Sequence, residues 1–234
     1  MKIGGFQKNS LIDFPEKIAC VVFTSGCNFF CPYCHNPGIA GKESEANQAV
    51  MEEKELFSFL EKRKKFLEGV VITGGEPTLQ KDLELFCTRI RSMGYQIKLD
   101  TNGSRPEVLN TLYRKKLVDF TAMDVKTNIE NYYMAAGRQF NTDRIMSSIS
   151  LIMNNSPFYE FRTTCVKPFI DKKIICDIGE MICNAAHYVL QPCSNNVAVM
   201  SPEFFEHKDR FFSDSEIEAF AVQAKQYVQK CSVR

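Results

Sequence analysis

The sequence predicts an α/β protein built on a parallel sheet, and two patterns along the chain carry this prediction. Six short runs rich in β-branched and aromatic residues are typical of buried strands. Six other stretches repeat apolar residues with helical spacing, and they alternate with the strands. Because parallel strands need a crossover connection, usually a helix, this alternation predicts a parallel sheet with helices outside it. An open doubly wound sheet and an incomplete (β/α) barrel both satisfy the pattern.

The elements follow one another without a break in composition. The predicted strands are IACVVFT (18–24), GVVIT (69–73), YQIKLD (95–100), VDFTAMDV (118–125), YEFRTTCV (159–166) and HYVLQ (187–191). The predicted helices cover residues 50–67, 80–93, 105–116, 141–154, 171–184 and 213–230. Since no Pro/Gly/Ser-rich linker, low-complexity tract or long repeat separates them, we expect residues 1–234 to form a single domain.

Composition excludes several classes of partner. The chain has 234 residues, 44% of them apolar, and 29 basic against 28 acidic residues leave a formal charge of +1. No global field therefore draws it to nucleic acid or to an anionic membrane. The opening MKIGGFQKNS lacks the apolar core of a signal peptide, and no apolar run approaches the roughly 20 residues that cross a bilayer. We expect a cytoplasmic protein whose ten cysteines are reduced.

Turn-forming and ionisable residues collect where the predicted strands end. In strand order these are CNFFCPYC (27–34), GGEP (74–77), DTNG (100–103), MDVK (123–126), Arg162 and LQPC (190–193). In both candidate architectures ligands bind beyond the carboxyl ends of the strands. The sequence thus predicts a binding site at this edge of the sheet.

The cysteines of the first motif, Cys27, Cys31 and Cys34, are close enough for one loop to direct three thiolates at one centre. Structural zinc takes four ligands, but no second C-x2-C pair is available, and His35 is adjacent to Cys34. A thioredoxin-type C-x-x-C pair would leave Cys27 without a role. A four-iron cluster fits the spacing better, because three thiolates leave one iron with an open position. Zinc binding and structural thiols remain as weaker alternatives.

CNFFCPYC resembles the C-x3-C-x2-C signature of the radical S-adenosylmethionine (SAM) superfamily, and the resemblance covers nearly the whole chain. The segment SLIDFPEKIACVVFTSGCNFFCPYCHNP, with AMDVK and YVLQP, is similar to the branch that activates glycyl radical enzymes. The resemblance implies a partial (β/α)6 TIM-type barrel. It also implies one [4Fe–4S] cluster on Cys27, Cys31 and Cys34, whose open iron is chelated by the amino and carboxylate groups of SAM.

The chemistry implied by the resemblance is reductive cleavage of SAM to methionine and a 5′-deoxyadenosyl radical. In the activating branch that radical removes hydrogen from a glycine of a partner glycyl radical enzyme, here expected to be an anaerobic ribonucleoside-triphosphate reductase. A flavodoxin- or ferredoxin-type protein is the expected electron donor.

The resemblance also implies roles for the other strand-end residues. Contact with the amino group of SAM is expected for Gly74, Gly75 and Glu76. Asp100 is expected to accept hydrogen bonds from the ribose or the amino group, and Lys126 of the D-x-K motif to meet the carboxylate.

Four further residues are expected to contact the cofactors. By the same resemblance, Tyr33 is expected near the cluster and the adenine, and His35 is expected to fix the loop. Gln191 lies where some relatives carry histidine, so its assignment departs from the family pattern. Arg162 is costly to bury unpaired, so it needs a carboxylate partner, either the ligand or a neighbouring Glu76 or Asp124.

Two other functions are compatible with the sequence. One is a radical SAM enzyme that acts on a small molecule or peptide, such as a 7-carboxy-7-deazaguanine synthase-like enzyme. The other is a non-catalytic zinc or iron module, which metal content would distinguish because the cluster contains about four irons.

Overall fold

The computed structural model describes residues 1–40, 51–194, 198–206 and 208–234. Its centre is an eight-stranded sheet in which the strands lie side by side in chain order. The strands are β1 (Ile3–Ser10), β2 (Ala19–Thr24), β3 (Gly69–Gly74), β4 (Gln96–Thr101), β5 (Phe120–Asp124), β6 (Phe158–Cys165), β7 (Tyr188–Pro192) and β8 (Cys231–Val233). Strands β2 to β8 are parallel, and β1 pairs antiparallel with β2.

The six predicted strands are confirmed as β2 to β7. The sheet contains two further strands, β1 and β8, that the sequence analysis does not predict. The sequence of β1, IGGFQKNS, contains two glycines and four polar residues and so lacks the usual strand composition. Strand β8 has only three residues, too few to show an alternating pattern. Both additions lie at the edges of the sheet, so they extend the six-unit partial barrel without changing its order.

Helices connect the parallel strands as predicted. They are α1 (Pro37–Ala40), α2 (Glu53–Arg63), α3 (Leu83–Ser92), α4 (Pro106–Arg114), α5 (Tyr132–Ala135), α6 (Asp143–Asn155), α7 (Lys172–Met181) and α8 (Asp214–Ala224). All six predicted helices are present, although residue 50, the expected start of the first, lies outside the described ranges. The four-residue helices α1 and α5 are additions to the prediction. Within the ranges described, no helix is long and apolar enough to cross a membrane.

The two faces of the sheet differ in chemistry. Ile97 and Leu99 of β4 and Phe161 of β6 pack in the large apolar core between the sheet and the helices. Since successive strand residues point to opposite faces, Lys98 and Asp100 of β4, like Glu160 and Arg162 of β6, face the interior of the partial barrel. One part of that interior is therefore lined by charged residues.

A small apolar cluster occupies another part of the interior. It consists of Phe14, Ala19, Val21 and Val71, and the half-buried Phe23 and Phe120 pack against it. Phe14 comes from the turn between β1 and β2 and is 3% exposed. A Cβ on Gly69 would lie 2.7 Å from the Phe14 ring, so this glycine makes room for the aromatic side chain.

Strand register brings the predicted site residues to one level at the carboxyl edge. Asp124 of β5 is paired in register with Arg162 of β6, and Thr164 of β6 is paired with Gln191 of β7. On the other side, Thr24 at the end of β2 is paired with Gly74. Loops that are distant in sequence therefore open onto the same edge.

We expect Phe14→Ala to reduce the free energy of unfolding by about 3–5 kcal/mol, because it removes the largest side chain of the small interior cluster. Chemical denaturation of both proteins measures the difference. Phe158→Ala is the matched control, since Phe158 is 69% exposed and its loss should cost at most about 0.5 kcal/mol. Equal losses for the two variants would contradict a packed interior.

Candidate functional site

A cleft of about 260 Å³ lies at the carboxyl edge of the parallel strands. It is lined by eleven of the twelve residues predicted from the sequence: Cys27, Cys31, Tyr33, Cys34, His35, Gly74, Gly75, Asp100, Lys126, Arg162 and Gln191. Glu76 is the exception. The lining also includes side chains that sequence reasoning did not single out as ligand contacts, namely Phe29, Asn36, Ala40, Thr73, Thr101, Asn102, Asp124 and Thr164.

The cysteine loop follows β2 and is closed by hydrogen bonds within the loop. The amide of Cys34 donates to the carbonyl of Cys31 at 3.0 Å, and the amide of Phe29 donates to Sγ of Cys27 at 3.3 Å. Gly26 begins the loop with a φ of +90°, a conformation that favours glycine. The sequence therefore turns sharply out of the strand and bends back at the third cysteine.

Two distant segments hold the cysteine loop from outside. The amide of Phe30 donates to the carbonyl of Ala136, just after α5, at 2.8 Å. The carbonyls of Pro32 and Cys34 accept from the amides of Ser201 and Met200 at 3.1 and 3.0 Å. Because these are backbone bonds, no sequence motif indicates them.

The three thiols suit an iron–sulfur cluster as a donor set. All three are free cysteines that line the cleft, and burial raises the pKa of Cys27 to about 12 and of Cys31 to about 11. In the part of the chain that the structure describes, no three His, Cys, Asp or Glu side chains surround a single point as ligands of one ion would. A cubane cluster has no such need, because each thiolate binds its own iron.

The GGEP turn supports the cysteine loop. A Cβ on Gly75 would lie 2.1 Å from the carbonyl oxygen of Gly26, and one on Gly74 would lie 2.4 Å from the amide of Thr24. The missing side chains therefore let β3 leave the sheet against the backbone that begins the cysteine loop. The amide of Glu76 also donates to the Gly26 carbonyl at 2.9 Å.

Glu76 is not among the lining residues of the cleft, and the contact with SAM that the resemblance implies for it stays a prediction. Its side chain is fully buried, and Oε1 accepts from the amide and hydroxyl of Thr78 and from Thr101 Oγ1, while Oε2 accepts from the amide of Asn102 at 2.6 Å. Burial raises the pKa of Glu76, although these four hydrogen bonds oppose the rise. These hydrogen bonds join the turns after β3 and β4, and Oε2, which accepts only one of them, keeps a lone pair for a further donor.

Five charged side chains, four on the neighbouring strands β4, β5 and β6 and one, Lys126, just beyond β5, form what we call the ion-pair chain. Lys98 Nζ lies 2.5 Å from Asp100 Oδ1, and Asp100 Oδ2 lies 3.2 Å from a terminal nitrogen of Arg162. Arg162 Nε lies 2.9 Å from Asp124 Oδ1, and Asp124 Oδ2 lies 2.9 Å from Lys126 Nζ. Each carboxylate thus bridges one lysine and the arginine. Of the two protein carboxylates expected as partners of Arg162, Asp124 pairs with it and Glu76 does not. Asp100 is a second partner.

Electrostatic coupling favours the ionised forms of Asp100, Asp124 and Lys126. Burial opposes ionisation of Asp100, but Arg162 and Lys98 outweigh it and hold the pKa of Asp100 below its ordinary value. Burial also opposes ionisation of Asp124, whose pKa is lowered by Arg162 and Lys126. Burial disfavours the charged form of Lys126, yet Asp124 and Cys31 raise its pKa well above normal. Three cations and two carboxylates give the ion-pair chain itself a formal charge of +1.

The remaining predicted residues sit around the mouth and walls of the cleft. Tyr33 is 4% exposed and its ring lies 5.5 Å from that of Phe169. The Tyr33 hydroxyl is the one buried side-chain oxygen or nitrogen of the described residues that lacks a hydrogen-bond partner.

His35 and Gln191 also line the cleft. Burial lowers the pKa of His35, and its Nε2 lies 3.8 Å from Sγ of Cys193. Gln191 is half-buried beside Thr164.

The basic runs at 62–65 and 114–116 lie away from the cleft. The first is at the end of α2, which leads into the amino end of β3, and the second is at the end of α4, which leads into the amino end of β5. Lys64 pairs with Glu61 and Lys115 pairs with Glu84. Both runs therefore lie towards the amino ends of the strands, on the far side from the cysteine loop.

A partial barrel with a three-cysteine loop at its carboxyl edge defines a class of protein, and comparison with known families identifies that class. The model of the radical SAM superfamily matches residues 21–165. The chain therefore belongs to the radical SAM superfamily and is an enzyme of that family. Membership implies a [4Fe–4S] cluster and SAM as cofactors.

Individual relatives narrow the comparison. A Methanocaldococcus jannaschii protein, named provisionally as a glycyl-radical enzyme activating enzyme, is 32% identical over 99% of this chain and 95% of its own length. A 7-carboxy-7-deazaguanine synthase from Aquifex aeolicus is 35% identical, but over only 34% of this chain and 33% of its own length. A crystal structure of a domain of pyruvate-formate lyase-activating enzyme from Bacteroides vulgatus superimposes with a TM-score of 0.55, at 17% identity, over 71% of this chain and 98% of that domain. This last likeness concerns the fold alone.

We expect Glu76→Gln to lower the free energy of unfolding by about 1–3 kcal/mol, because the amide nitrogen would face a buried donor. Urea denaturation measures the loss, with Glu61→Gln as the control because Glu61 is 62% exposed. An unchanged stability combined with weaker SAM binding would instead favour direct contact between Glu76 and the amino group of SAM.

Proposed function

We propose that this chain is a radical SAM activating enzyme that generates the glycyl radical of a partner enzyme, an anaerobic ribonucleoside-triphosphate reductase. In this proposal residues 1–234 are one radical SAM domain in the cytoplasm, and a flavodoxin- or ferredoxin-type protein supplies the electron. The observation that carries the proposal is that three thiols of one loop and the cationic end of the ion-pair chain line the same cleft.

Cys27, Cys31 and Cys34 would hold the [4Fe–4S] cluster. When bound, the cluster and SAM would supply a 5′-deoxyadenosyl radical by one-electron cleavage of the sulfonium, which releases methionine, for removal of a hydrogen atom from the partner's glycine. The loop is fixed by backbone bonds from residues 136, 200 and 201, so its thiols are held in place by the rest of the fold. Such preorganisation lowers the cost of binding the cluster.

The other cleft residues would bind and orient SAM. Lys126 and Arg162 present cationic groups suited to the ligand carboxylate, while their bonds to Asp124 keep both side chains in position. Asp100 would accept a hydrogen bond from the ribose or the amino group. The strand-end backbone at Gly74 and Gly75 would approach the amino group, since neither residue carries a side chain there.

Three further residues would complete the cleft. The unpartnered hydroxyl of Tyr33 is a polar atom that a bound group could satisfy. Gln191 would take the place that histidine holds in some relatives. His35, beside Cys193 at the mouth, would fix the loop.

Two observations support a protein substrate. The relative from M. jannaschii is matched over almost its whole length, which favours the activating branch over enzymes matched in one third of the chain. In addition, the sheet of the described residues ends at β1 and β8, each with one neighbouring strand, so an open side is available to a protein loop. The small-molecule alternative rests on the short match to 7-carboxy-7-deazaguanine synthase.

Anaerobic cluster reconstitution tests the enzymatic step. With dithionite and SAM, we expect the native chain to form 5′-deoxyadenosine, measured by chromatography, and Cys31→Ala to form less than about one hundredth as much because one cluster ligand is gone. Cys183→Ala is the control, since Cys183 is exposed and lies outside the cleft. A native chain that holds about four irons and yields no 5′-deoxyadenosine would refute the proposal.

Adding the anaerobic reductase tests the partner. We expect a doublet in the electron paramagnetic resonance spectrum that collapses when the glycine α-hydrogen is replaced by deuterium. If 5′-deoxyadenosine forms in the presence of the reductase but no protein radical appears, the reductase is not the partner. Another glycyl radical enzyme or a small molecule would then be the substrate.

A further inference from the structure

We infer that Lys98 is a positioning residue for the carboxylate of SAM, although it does not line the cleft. It acts by neutralising Asp100, so that the positive charge of Arg162 and Lys126 remains available to the ligand. The inference rests on the proposed function, because it concerns the cosubstrate of that site.

Lys98 is buried and its partner is unambiguous. Its side chain is 2% exposed, and its ammonium lies 2.5 Å from Asp100 Oδ1. The same ammonium lies 5.9 Å from the centroid of the Phe120 ring, a much longer contact. A lysine so deeply buried is rare unless it is paired, and here it pairs with a carboxylate that itself lines the cleft.

The arrangement of carboxylate oxygens explains why this lysine matters. Oδ1 of Asp100 pairs with Lys98, and its Oδ2 pairs with Arg162. Oδ1 of Asp124 pairs with Arg162, and its Oδ2 pairs with Lys126. Without Lys98 the ion-pair chain would contain two cations and two carboxylates and carry no net charge. With Lys98 it carries one positive charge, and the cations that line the cleft are Arg162 and Lys126.

A carboxylate bound beside Arg162 and Lys126 would be attracted by this net positive charge. At an effective dielectric constant of about 20, one unit charge several ångströms away changes the binding constant of a second by roughly ten-fold or more. The amino group and the sulfonium of SAM are positive and gain nothing from the surplus. Lys98 therefore discriminates in favour of the carboxylate, which distinguishes its role from simple support of the fold.

The test compares two ligands on the cluster-loaded protein by equilibrium binding under anaerobic conditions. S-adenosylmethionine carries the carboxylate, and decarboxylated S-adenosylmethionine lacks it while keeping the amine, sulfonium and adenosine. The measured quantity is the ratio of their dissociation constants. We expect Lys98→Met to reduce the preference for S-adenosylmethionine by about ten-fold, whereas Lys115→Met, a lysine paired with Glu84 far from the cleft, leaves it unchanged.

A charge-restoring variant separates electrostatics from damage to the site. Lys98→Met combined with Asp100→Asn leaves Arg162 and Lys126 against Asp124 alone, so the surplus of one positive charge returns. We expect its ligand preference to return to within about two-fold of the native value. Asp100→Asn also weakens an acceptor for the ribose or the amine, but both ligands carry these groups, so that effect cancels in the ratio.

Each result decides the inference. A folded Lys98→Met protein with native preference, or a double variant with the same low preference as the single one, overturns it. If Lys98→Met does not fold, Asp100→Asn alone should raise the preference about ten-fold, and an unchanged ratio overturns the inference. If the native protein binds neither ligand, the proposed function fails instead, which is a separate outcome.

Discussion

The cleft depends on one constraint, which is that a guanidinium largely withdrawn from solvent, like that of Arg162 in the cleft wall, must be paired. Arg162 lies on β6, and the carboxylates that satisfy it come from β4 and β5. Because an unpaired buried charge costs several kcal/mol, the three strands are tied at one register by their side chains as well as by their backbones. The same pairing holds the cationic groups of Arg162 and Lys126 in the wall of the cleft.

The ion-pair chain and the cysteine loop meet at the turns after β3 and β4. Glu76 holds the two turns together through Thr101 and Asn102, and Gly75 lets the backbone of Gly26 approach closely. Asn102 in turn donates to Asn28 within the cysteine loop at 3.0 Å. The cysteine loop and the charged groups are thereby positioned by one continuous set of contacts, although they come from different strands.

Much of this organisation is predictable because parallel topology makes a strong sequence pattern. Each of β2 to β7 has enough β-branched or aromatic residues to be found, and the carboxyl-edge rule then groups eleven of the twelve predicted site residues at one cleft. Strand β1 escapes prediction because its polar, glycine-containing sequence is stabilised by pairing with β2 rather than by burial. The contacts of residues 200 and 201 with the loop escape it because backbone bonds leave no trace in residue type.

Two buried residues near the cleft have surroundings that the sequence does not indicate. A contact between Glu76 and the amino group of SAM is implied by the resemblance alone, and the four hydrogen bonds that its buried carboxylate accepts from neighbouring turns are visible only in the structure. Lys98 is not predicted as a site residue because it lies inside a predicted strand, between apolar neighbours. Strand alternation does place it on the same face as Asp100, two residues further along β4, and this is the signal that could have found it.

The backbone bonds around the cysteine loop also bear on the order in which the protein is assembled. The thiols occupy residues 27–34, but the amides that fix the carbonyls of Pro32 and Cys34 belong to residues 200 and 201, which are synthesised much later. A chain emerging from the ribosome thus carries three cysteines without these constraints until that segment is made. In the proposed function the cluster would therefore reach its final surroundings only after that segment is made, and until then the thiols would depend on reducing surroundings for protection from oxidation.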